Sequence, residues 1–269
     1  MTPVTAGGLA VAGAVFQGIL LNPLADPYTL GVSAGAAFGA SLAILFSLGG
    51  ALYSVPGFAF AGAIATLFLV IYLAYSGGRR GFSSNNLILS GIIVGAILSA
   101  GISFLKYLAD EQVAVIIFWL MGSFASKTWP ELGLVLILTA AGSLVCLFYA
   151  RDLNLIALGS RAAGSLGVNT GRVTLILLVT ASLIAAVSVS VSGIIGFVGL
   201  LVPHMVRFIT GPDNRRLIPV SMFTGALLLL GADTLIRAVL PGEVPIGVLT
   251  ALIGGPVFCY IFRKRQMRY

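Results

Sequence analysis

Long apolar runs alternate with short connections rich in charged residues, proline and glycine along the whole chain. One membrane crossing needs about 20 apolar residues in a helix, and Pro, Gly and charges mark helix ends. The pattern therefore predicts nine spans and, between the fourth and fifth, a short helix near the outer surface at 113–121. The spans cover residues 6–21, 29–48, 56–75, 86–108, 130–149, 173–191, 196–210, 217–238 and 246–262. We expect an all-α, polytopic membrane protein with one domain over residues 1–269.

A polar turn, residues 22–27 (NPLADP), separates the first two predicted spans. Its prolines lack an N–H and bias the preceding residues away from helix, so the backbone is predicted to unwind there. Beyond the turn, Gly31, Gly35 and Gly39 recur every four residues, the spacing that allows close packing of helices in lipid. A broken helix followed by such a glycine face is typical of transporters.

Composition excludes a soluble globular domain. With 59% hydrophobic and only 9% charged residues in 269, the chain cannot supply the charged shell that a soluble protein needs. The net charge of +7 does not indicate a nucleic-acid partner, because the basic residues lie in short clusters between apolar runs. Cys146 and Cys259 stand far apart in apolar runs and are interpreted as buried small hydrophobic residues rather than metal ligands.

The distribution of basic residues predicts the orientation. If the loop at Arg79 and Arg80 is cytoplasmic, alternate crossings place all but three of the 15 Lys and Arg residues on that side. The exceptions are Lys106, Lys127 and Arg237. Because basic residues favour the cytoplasmic side, the C-terminus is predicted to be cytoplasmic and the N-terminus outside. That start has no basic anchor, so we expect one further span upstream.

The cytoplasmic connection 151–172 differs from an ordinary loop. Its apolar positions predict one short helix up to Leu158, a break at Gly159, and a second short helix with Ala162, Ala163 and Leu166 on its apolar side. Two interpretations remain open at this stage. The element docks on a partner protein, or it is an amphipathic hairpin that lies in the lipid interface.

Four ordered motifs resemble one family over essentially the whole chain. The motifs are QGILLNPLADPYTLGVSAGA (17–36), ALGSRAAGSLGV (157–168), SGIIGFVGLLVPHMVRFITG (192–211) and ADTLIRAVLPGEVPIGVLTALIGGPVF (232–258). They are similar to the FecCD family, the permeases of bacterial and archaeal ABC importers for iron chelates and vitamin B12. Members typically have ten spans, and this chain resembles spans two to ten.

The resemblance implies a multi-pass permease of the cytoplasmic (inner) membrane that works in lipid as a homodimer or as a pseudo-dimer of two related subunits. Two cytoplasmic ABC ATPase subunits and an external substrate-binding protein are the implied partners, with no cofactor. The implied cargo is a ferric siderophore, haem or cobalamin, and an iron chelate is our first expectation. The sequence itself contains no GxxxxGK[ST] phosphate loop, so another chain must hydrolyse ATP. No catalytic triad or carboxylate pair is recognisable, and we expect no enzyme activity.

Site residues follow from the matching motifs. The family's ATPase-coupling element corresponds to Leu158, Gly159, Arg161, Ala162, Ala163, Gly164, Leu166 and Gly167. The fourth span lines the substrate path in the family, which implies gate or pathway roles for Ser83, Ser84, Asn85, Asn86, Ser99 and Ser103. Docking of the binding protein is implied for Arg237 and, more weakly, Glu243.

Each of these assignments has a structural alternative. Arg237 follows Asp233 by four positions, so the two can form a pair within one helix. Gly91 and Gly95, on the same span as the gate residues, are better explained by helix packing. His204, the only histidine, invites a haem or metal interpretation, but a single histidine without a second ligand favours packing, and we predict no metal site.

Two other function classes remain possible from the residues alone. An ion-coupled secondary transporter also uses broken helices, but it usually needs carboxylates in mid-membrane. The acidic residues of this chain lie instead in connections or near span ends. A structural membrane subunit without transport is the third class, and the broken helices and the polar cluster at 83–86 argue against it.

Overall fold

The computed structural model describes residues 1–48, 51–75, 83–125, 127–239 and 245–266, without the side chains of 51–53, 239, 262 and 264–266. The described part of the chain forms α-helices joined by short connections, with 3-10 turns at Pro27–Leu30 and Asp110–Gln112. The helices are α1 Thr2–Leu20, α2 Val32–Leu45, α3 Ala51–Ala74, α4 Ser84–Leu108, α5 Val113–Leu120, α6 Trp129–Phe148, α7 Ala150–Ile156, α8 Ser160–Ser165, α9 Thr170–Ser192, α10 Val198–Thr210, α11 Asn214–Val239 and α12 Ile246–Gln266.

A helix lies at each predicted span, and the all-α membrane fold is confirmed. Among the described residues, α1, α3, α4, α6, α9 and α11 are long and apolar enough to cross a membrane. The apolar parts of α2, α10 and α12 are shorter, so the number of crossings stays a prediction. The short helix predicted at 113–121 is observed as α5.

Helix α1 lies at the centre of the bundle. Of its membrane-spanning window 89% is buried, against 22% for both α4 and α6. It packs against α6, α9, α10 and α11, and these neighbours shield it from lipid. The outer helices instead present large apolar side chains such as Phe104, Ile137 and Leu227, each more than 60% exposed. In a membrane protein this exposure is expected, because lipid tails are as apolar as the core.

Small residues make the central position of α1 possible. A Cβ atom at Gly13 would overlap the carbonyl oxygen of Gly199 in α10, and one at Gly18 would lie 3.0 Å from the Leu153 side chain. The predicted glycine face of α2 is observed at Gly35, which packs against Gly62 of α3, whereas Gly31, with φ 73°, precedes the helix. Close backbone approach compensates for the lack of a hydrophobic driving force between helices in lipid.

Two unwound segments meet inside the bundle. Residues 21–31 follow α1, and residues 193–197 follow α9. The Tyr28 hydroxyl donates to the Ile195 carbonyl at 3.0 Å, and the Pro27 ring packs against Gly199. Because Gly199 also crosses α1 at Gly13, about 10 Å from the end of α1, the contact lies well within the bundle. Non-helical backbone at such depth is tolerated where protein groups satisfy it.

The bundle has two distinct ends. At the first, Ser84 Oγ lies 3.5 Å from the carbonyl of Ile19, and Asn154 Nδ2 lies 2.6 Å from Asp213 Oδ1. We call this the hairpin end, because α7 and α8 lie there. At the other end, Thr2 Oγ1 lies 3.1 Å from Asp233 Oδ2, which joins the start of α1 to the last turns of α11. The starts of α4 and α11 and the connection between α6 and α9 therefore share one end.

Candidate functional site

Helices α7 and α8 form a hairpin of two short helices, as the sequence predicts for residues 151–172. Gly159, with φ 107°, joins the two helices, and Gly167, with φ 87°, follows α8. Side chains with a Cβ rarely adopt such positive φ values, so glycine permits both turns. Asn169 then caps α9, since its Oδ1 accepts from the Arg172 N–H at 3.1 Å. We call Ala150 to Val168 the coupling hairpin.

The coupling hairpin has a buried face and a free face. Leu153 and Ala163 are fully buried and hold the two helices on the bundle. Leu158 is 69% and Leu166 61% exposed, although both are large and apolar. The structure brings all eight predicted coupling residues into this hairpin, with Ala163 as an anchor and Gly159 half-buried. The exposed members are Leu158, Arg161, Ala162, Gly164, Leu166 and Gly167.

Gly164 lies in the free face with open space around it. A Cβ placed there would meet no atom within 4 Å, and its φ is not among the positive values. Neither packing nor backbone conformation within the chain therefore requires glycine at this position.

A polar network joins the foot of the hairpin to the start of α11. Asn154 Nδ2 donates to Asp213 Oδ1 at 2.6 Å, and Asn154 Oδ1 accepts from the Asn214 N–H at 2.9 Å. The Asn154 hydrogen bond, followed by that from the Arg215 N–H, lowers the pKa of Asp213. Asp213 therefore stays a carboxylate at neutral pH, and the network is lost only as the pH falls through this lowered value.

The predicted gate residues do not form one cluster. Ser83, Asn85 and Asn86 are exposed at the hairpin end of α4, and Ser84 is half-buried beside Ile19. Ser99 and Ser103 are exposed further along the same helix, with Ser103 Oγ donating to the Ser99 carbonyl at 3.1 Å. From residue 86 to residue 99 the helix rises about 20 Å. The six residues therefore form two groups at different heights along α4.

Gly91 and Gly95 of α4 lie beside the turn that follows α1, whereas Ser99 and Ser103 are exposed. A Cβ at Gly91 would overlap the Thr29 carbonyl oxygen, whereas one at Gly95 would be 4.0 Å from Gly31. Gly91 therefore serves close helix packing, as expected. Leu87 and Val94 are buried on the packed side, which leaves the face with Ser99 and Ser103 uncovered in the single chain.

Arg237 and Asp233 form the expected pair within α11. Arg237 Nε lies 3.2 Å from Asp233 Oδ1, and the Arg237 side chain is 57% exposed. Asp233 also accepts from Thr2, so α1 and α11 are joined at the end opposite the hairpin. The exposed guanidinium retains donors that face outward. Glu243, the weaker docking candidate, lies outside the described residues.

His204 packs inside the bundle. It is 6% exposed, and its ring centroid lies 5.1 Å from that of Phe208 in an edge-on arrangement. Among the residues that the structure describes, no three His, Cys, Asp or Glu side chains gather as potential metal ligands. Cys146 is buried, whereas Cys259 is exposed, which differs from the burial expected for both. Cys259 lies on α12, whose apolar outer face accommodates it.

Comparison with known proteins decides the family. A family model described as the FecCD transport family matches residues 1–264. The chain belongs to the FecCD transport family. The cobalamin import system permease BtuC of Halobacterium salinarum is 43% identical to it over 97% of this chain and 69% of the relative. The hemin transport system permease HmuU of Yersinia pestis is 41% identical over 97% of this chain and 79% of its own length.

A solved structure confirms the fold of this FecCD chain. A metal-chelate type ABC transporter in an inward-facing conformation superposes with a TM-score of 0.91 at 35% identity. The match covers 98% of this chain and 83% of that one. The protein is thus a multi-pass membrane permease of the FecCD family by both sequence and fold.

Sequence reasoning missed the contacts between distant residues. Asp213 and Asn214 precede a helix and carry the signal of an N-terminal cap, but their partner Asn154 lies about 60 positions earlier. Likewise, nothing in the local pattern connects Tyr28 with Ile195.

Proposed function

We propose that this FecCD chain is the permease subunit of an ABC importer of metal chelates, driven by a separate ATPase subunit. The coupling hairpin carries the proposal. Two short helices stand at one end of an apolar bundle and expose Leu158 and Leu166, while the small residues between them allow close approach. Such a free apolar face on a well-anchored element suits docking on a protein partner.

The docking interpretation is preferred over a hairpin that rests in lipid. Arg161, Ala162 and Gly164 lie between the exposed leucines, so the free face is narrow and mixed rather than a continuous apolar stripe. An interfacial helix is expected to carry a wide apolar face instead. In the proposed complex, the hairpin enters a cleft of the ATPase, and Arg161 pairs with acidic residues at its rim.

The permease is proposed to act as a homodimer in the cytoplasmic membrane, with its C-terminus in the cytoplasm. The exposed face of α4 that carries Ser99 and Ser103 would line the substrate path between the two copies. Ser83, Ser84, Asn85 and Asn86 would form the gate at its cytoplasmic end, since amides and hydroxyls can exchange partners as helices shift. The whole of residues 1–269 would form one permease domain.

The external end is proposed to receive the substrate-binding protein. Arg237 is the main candidate, because its guanidinium is exposed while Asp233 and Thr2 fix its helix. A ferric siderophore, haem or cobalamin is the proposed cargo, with an iron chelate as the first to test. The relatives named for cobalamin and hemin support this class of large, metal-containing organic ligands.

The coupling assignment is tested with Gly164→Trp. Because no atom of the chain lies within 4 Å of a Cβ at this position, the indole should leave the fold intact and obstruct the ATPase. We expect insertion in the membrane to be unchanged and binding of the purified ATPase to fall at least about tenfold, since overpacking at an interface costs about 1–3 kcal/mol. Pull-down and ATP hydrolysis in detergent measure ATPase binding, and the amount of permease in the membrane fraction measures insertion.

Gly133→Trp is the matched control. Gly133 lies in α6, away from the hairpin, and a Cβ there also meets nothing within 4 Å. It should bind the ATPase like the unchanged permease. Normal ATPase binding and chelate uptake by Gly164→Trp would contradict the assignment of the hairpin.

A further inference from the structure

The side chain of Asn154 in α7 joins the coupling hairpin to the start of α11 by hydrogen bonds. Its Nδ2 donates to Asp213 Oδ1 at 2.6 Å. Its Oδ1 accepts from both Asn214 N at 2.9 Å and Asn214 Nδ2 at 2.8 Å. We call this set of contacts the Asn154 joint. It connects residues about 60 positions apart, and its two sides lie on different helices.

The chemistry of the joint makes it a firm attachment. Asp213 is ionised, and hydrogen bonds to a carboxylate are shorter and stronger than neutral ones. Its Oδ1 also accepts from the Arg215 N–H at 3.0 Å, which fixes the carboxylate at the start of α11. Asn214 is only 2% exposed, so loss of Asn154 would leave its buried amide without this acceptor.

Apolar contacts hold α7 in the same position. Leu153, the neighbour of Asn154, is fully buried and lies against Gly18 of α1. Helix α8, in contrast, keeps only Ala163 fully buried and exposes Leu166. A partner that holds α8 would therefore act on the bundle through α7, and the polar part of that attachment is Asn154.

Helix α11 connects the joint to the opposite end of the molecule. It extends from Asn214 to Val239, 26 residues with Pro219 near its start, or about 39 Å. Gly225 packs closely on Ala6 of α1, so the helix is supported along its length. Its far end carries Asp233 and Arg237. One helix thus joins the foot of the coupling hairpin to the proposed docking site.

We propose that Asn154 is a positioning residue that fastens the coupling hairpin to α11, so that displacement of the hairpin by the ATPase moves the Asp233–Arg237 end. This inference rests on the proposed function of the hairpin. The hairpin is already connected to α6 and α9 through the backbone. The inference adds a side-chain contact, the Asn154 joint, as a second connection between the two ends. A coupling of two sites requires such an element with two arrangements that both sites can bias.

The test combines Asn154→Leu with a reporter at the far end of α11. Ala238→Cys, at an exposed position, is introduced after Cys259→Ser removes the exposed native thiol. The permease with its ATPase is placed in lipid nanodiscs, where both ends are accessible, and a hydrophilic maleimide labels position 238 without nucleotide and after trapping with ATP and vanadate. The unchanged permease should show a nucleotide-dependent difference in labelling rate.

In Asn154→Leu the ATPase should still bind, and the nucleotide-dependent difference at position 238 should fall about tenfold, because a charge-assisted hydrogen bond is lost. Asn154→Asp should act likewise, since it sets two carboxylates against each other. The double change Asn154→Asp with Asp213→Asn restores a donor and an acceptor across the joint, and labelling should recover. A variant that had lost its fold would lose ATPase binding as well as the labelling difference, so retained ATPase binding separates a loss of coupling from a loss of structure.

Asn169→Ala is the control within the same loop, because Asn169 Oδ1 accepts from the Arg172 N–H, a contact within its own helix. It should leave the labelling difference unchanged. A full nucleotide-dependent response in Asn154→Leu, or no recovery in the exchanged pair, would overturn the role of Asn154. If the unchanged permease fails to bind the ATPase, the proposed function itself fails, which separates the two outcomes.

Discussion

At the residue scale, glycine decides how closely the helices approach. Gly13 meets Gly199 where α1 crosses α10, and Gly35 meets Gly62 where α2 crosses α3. The four-residue spacing of Gly35 and Gly39 made the α2 face predictable, because a repeat within one helix is visible in the sequence. The crossing of Gly13 and Gly199 was not predictable, since its two members belong to distant segments.

Gly13→Ala should destabilise the folded permease. The added methyl would overlap the Gly199 carbonyl oxygen, and overpacking costs about 1–3 kcal/mol. Gly231→Ala is the matched control on α11, where a Cβ meets nothing within 4 Å and alanine favours the helix by up to about 1 kcal/mol. Thermal unfolding in detergent should show a lower Tm for the first variant only. Equal Tm values would argue against a close crossing at Gly13.

Arg237→Glu should weaken docking of the substrate-binding protein. The change reverses an exposed charge and places it beside Asp233, at 3.2 Å in the present pair. We expect the affinity for the binding protein at low salt to fall about tenfold or more, because a carboxylate of the binding protein would then face a like charge. Membrane insertion should be unchanged. Lys106→Glu, a charge reversal at the end of α4, is the control. Surface plasmon resonance measures the affinity of both variants for the binding protein. Identical affinities would exclude Arg237 from the interface.

At the element scale, the two unwound segments are the most specific feature. Prolines at positions 23 and 27 predict the first, and the gap between the predicted spans 173–191 and 196–210 overlaps the second, residues 193–197. Their contact through Tyr28 and Ile195 depends on how the helices pack, so local pattern could not predict it. The coupling hairpin likewise combines features that were predicted with one that was not. Its two short helices and the Gly159 break were predicted, whereas the Asn154 joint was not.

Tyr28→Phe tests the contact between the unwound segments. The variant keeps the ring but removes the donor to the Ile195 carbonyl, at 3.0 Å. Leaving that carbonyl without its donor should cost about 1–3 kcal/mol. Tyr107→Phe, at a ring 81% exposed, should have no effect on the Tm. Similar unfolding of both variants would mean that the hydrogen bond contributes little to the fold.

At the scale of the whole molecule, apolar patterning predicts the class of fold and the motifs predict the family. Helix α1 occupies the centre because its many Gly and Ala residues allow neighbours to pack on every side. Other helices of the chain also contain Gly and Ala, so composition alone did not predict this central position. The two ends then have different chemistry. One presents the coupling hairpin and the start of α4, and the other presents the pair of Asp233 and Arg237.

The central claim is that a separate ATPase drives this permease. The most direct measurement is uptake of haemin, ferric siderophore and cyanocobalamin into liposomes that contain the permease, its ATPase and its binding protein. Each measurement is made with and without ionophores that collapse ion gradients. The account predicts uptake of one of these chelates with ATP and none without it, regardless of the ionophores. Uptake that needs an ion gradient and proceeds without the ATPase would contradict it and favour a secondary transporter.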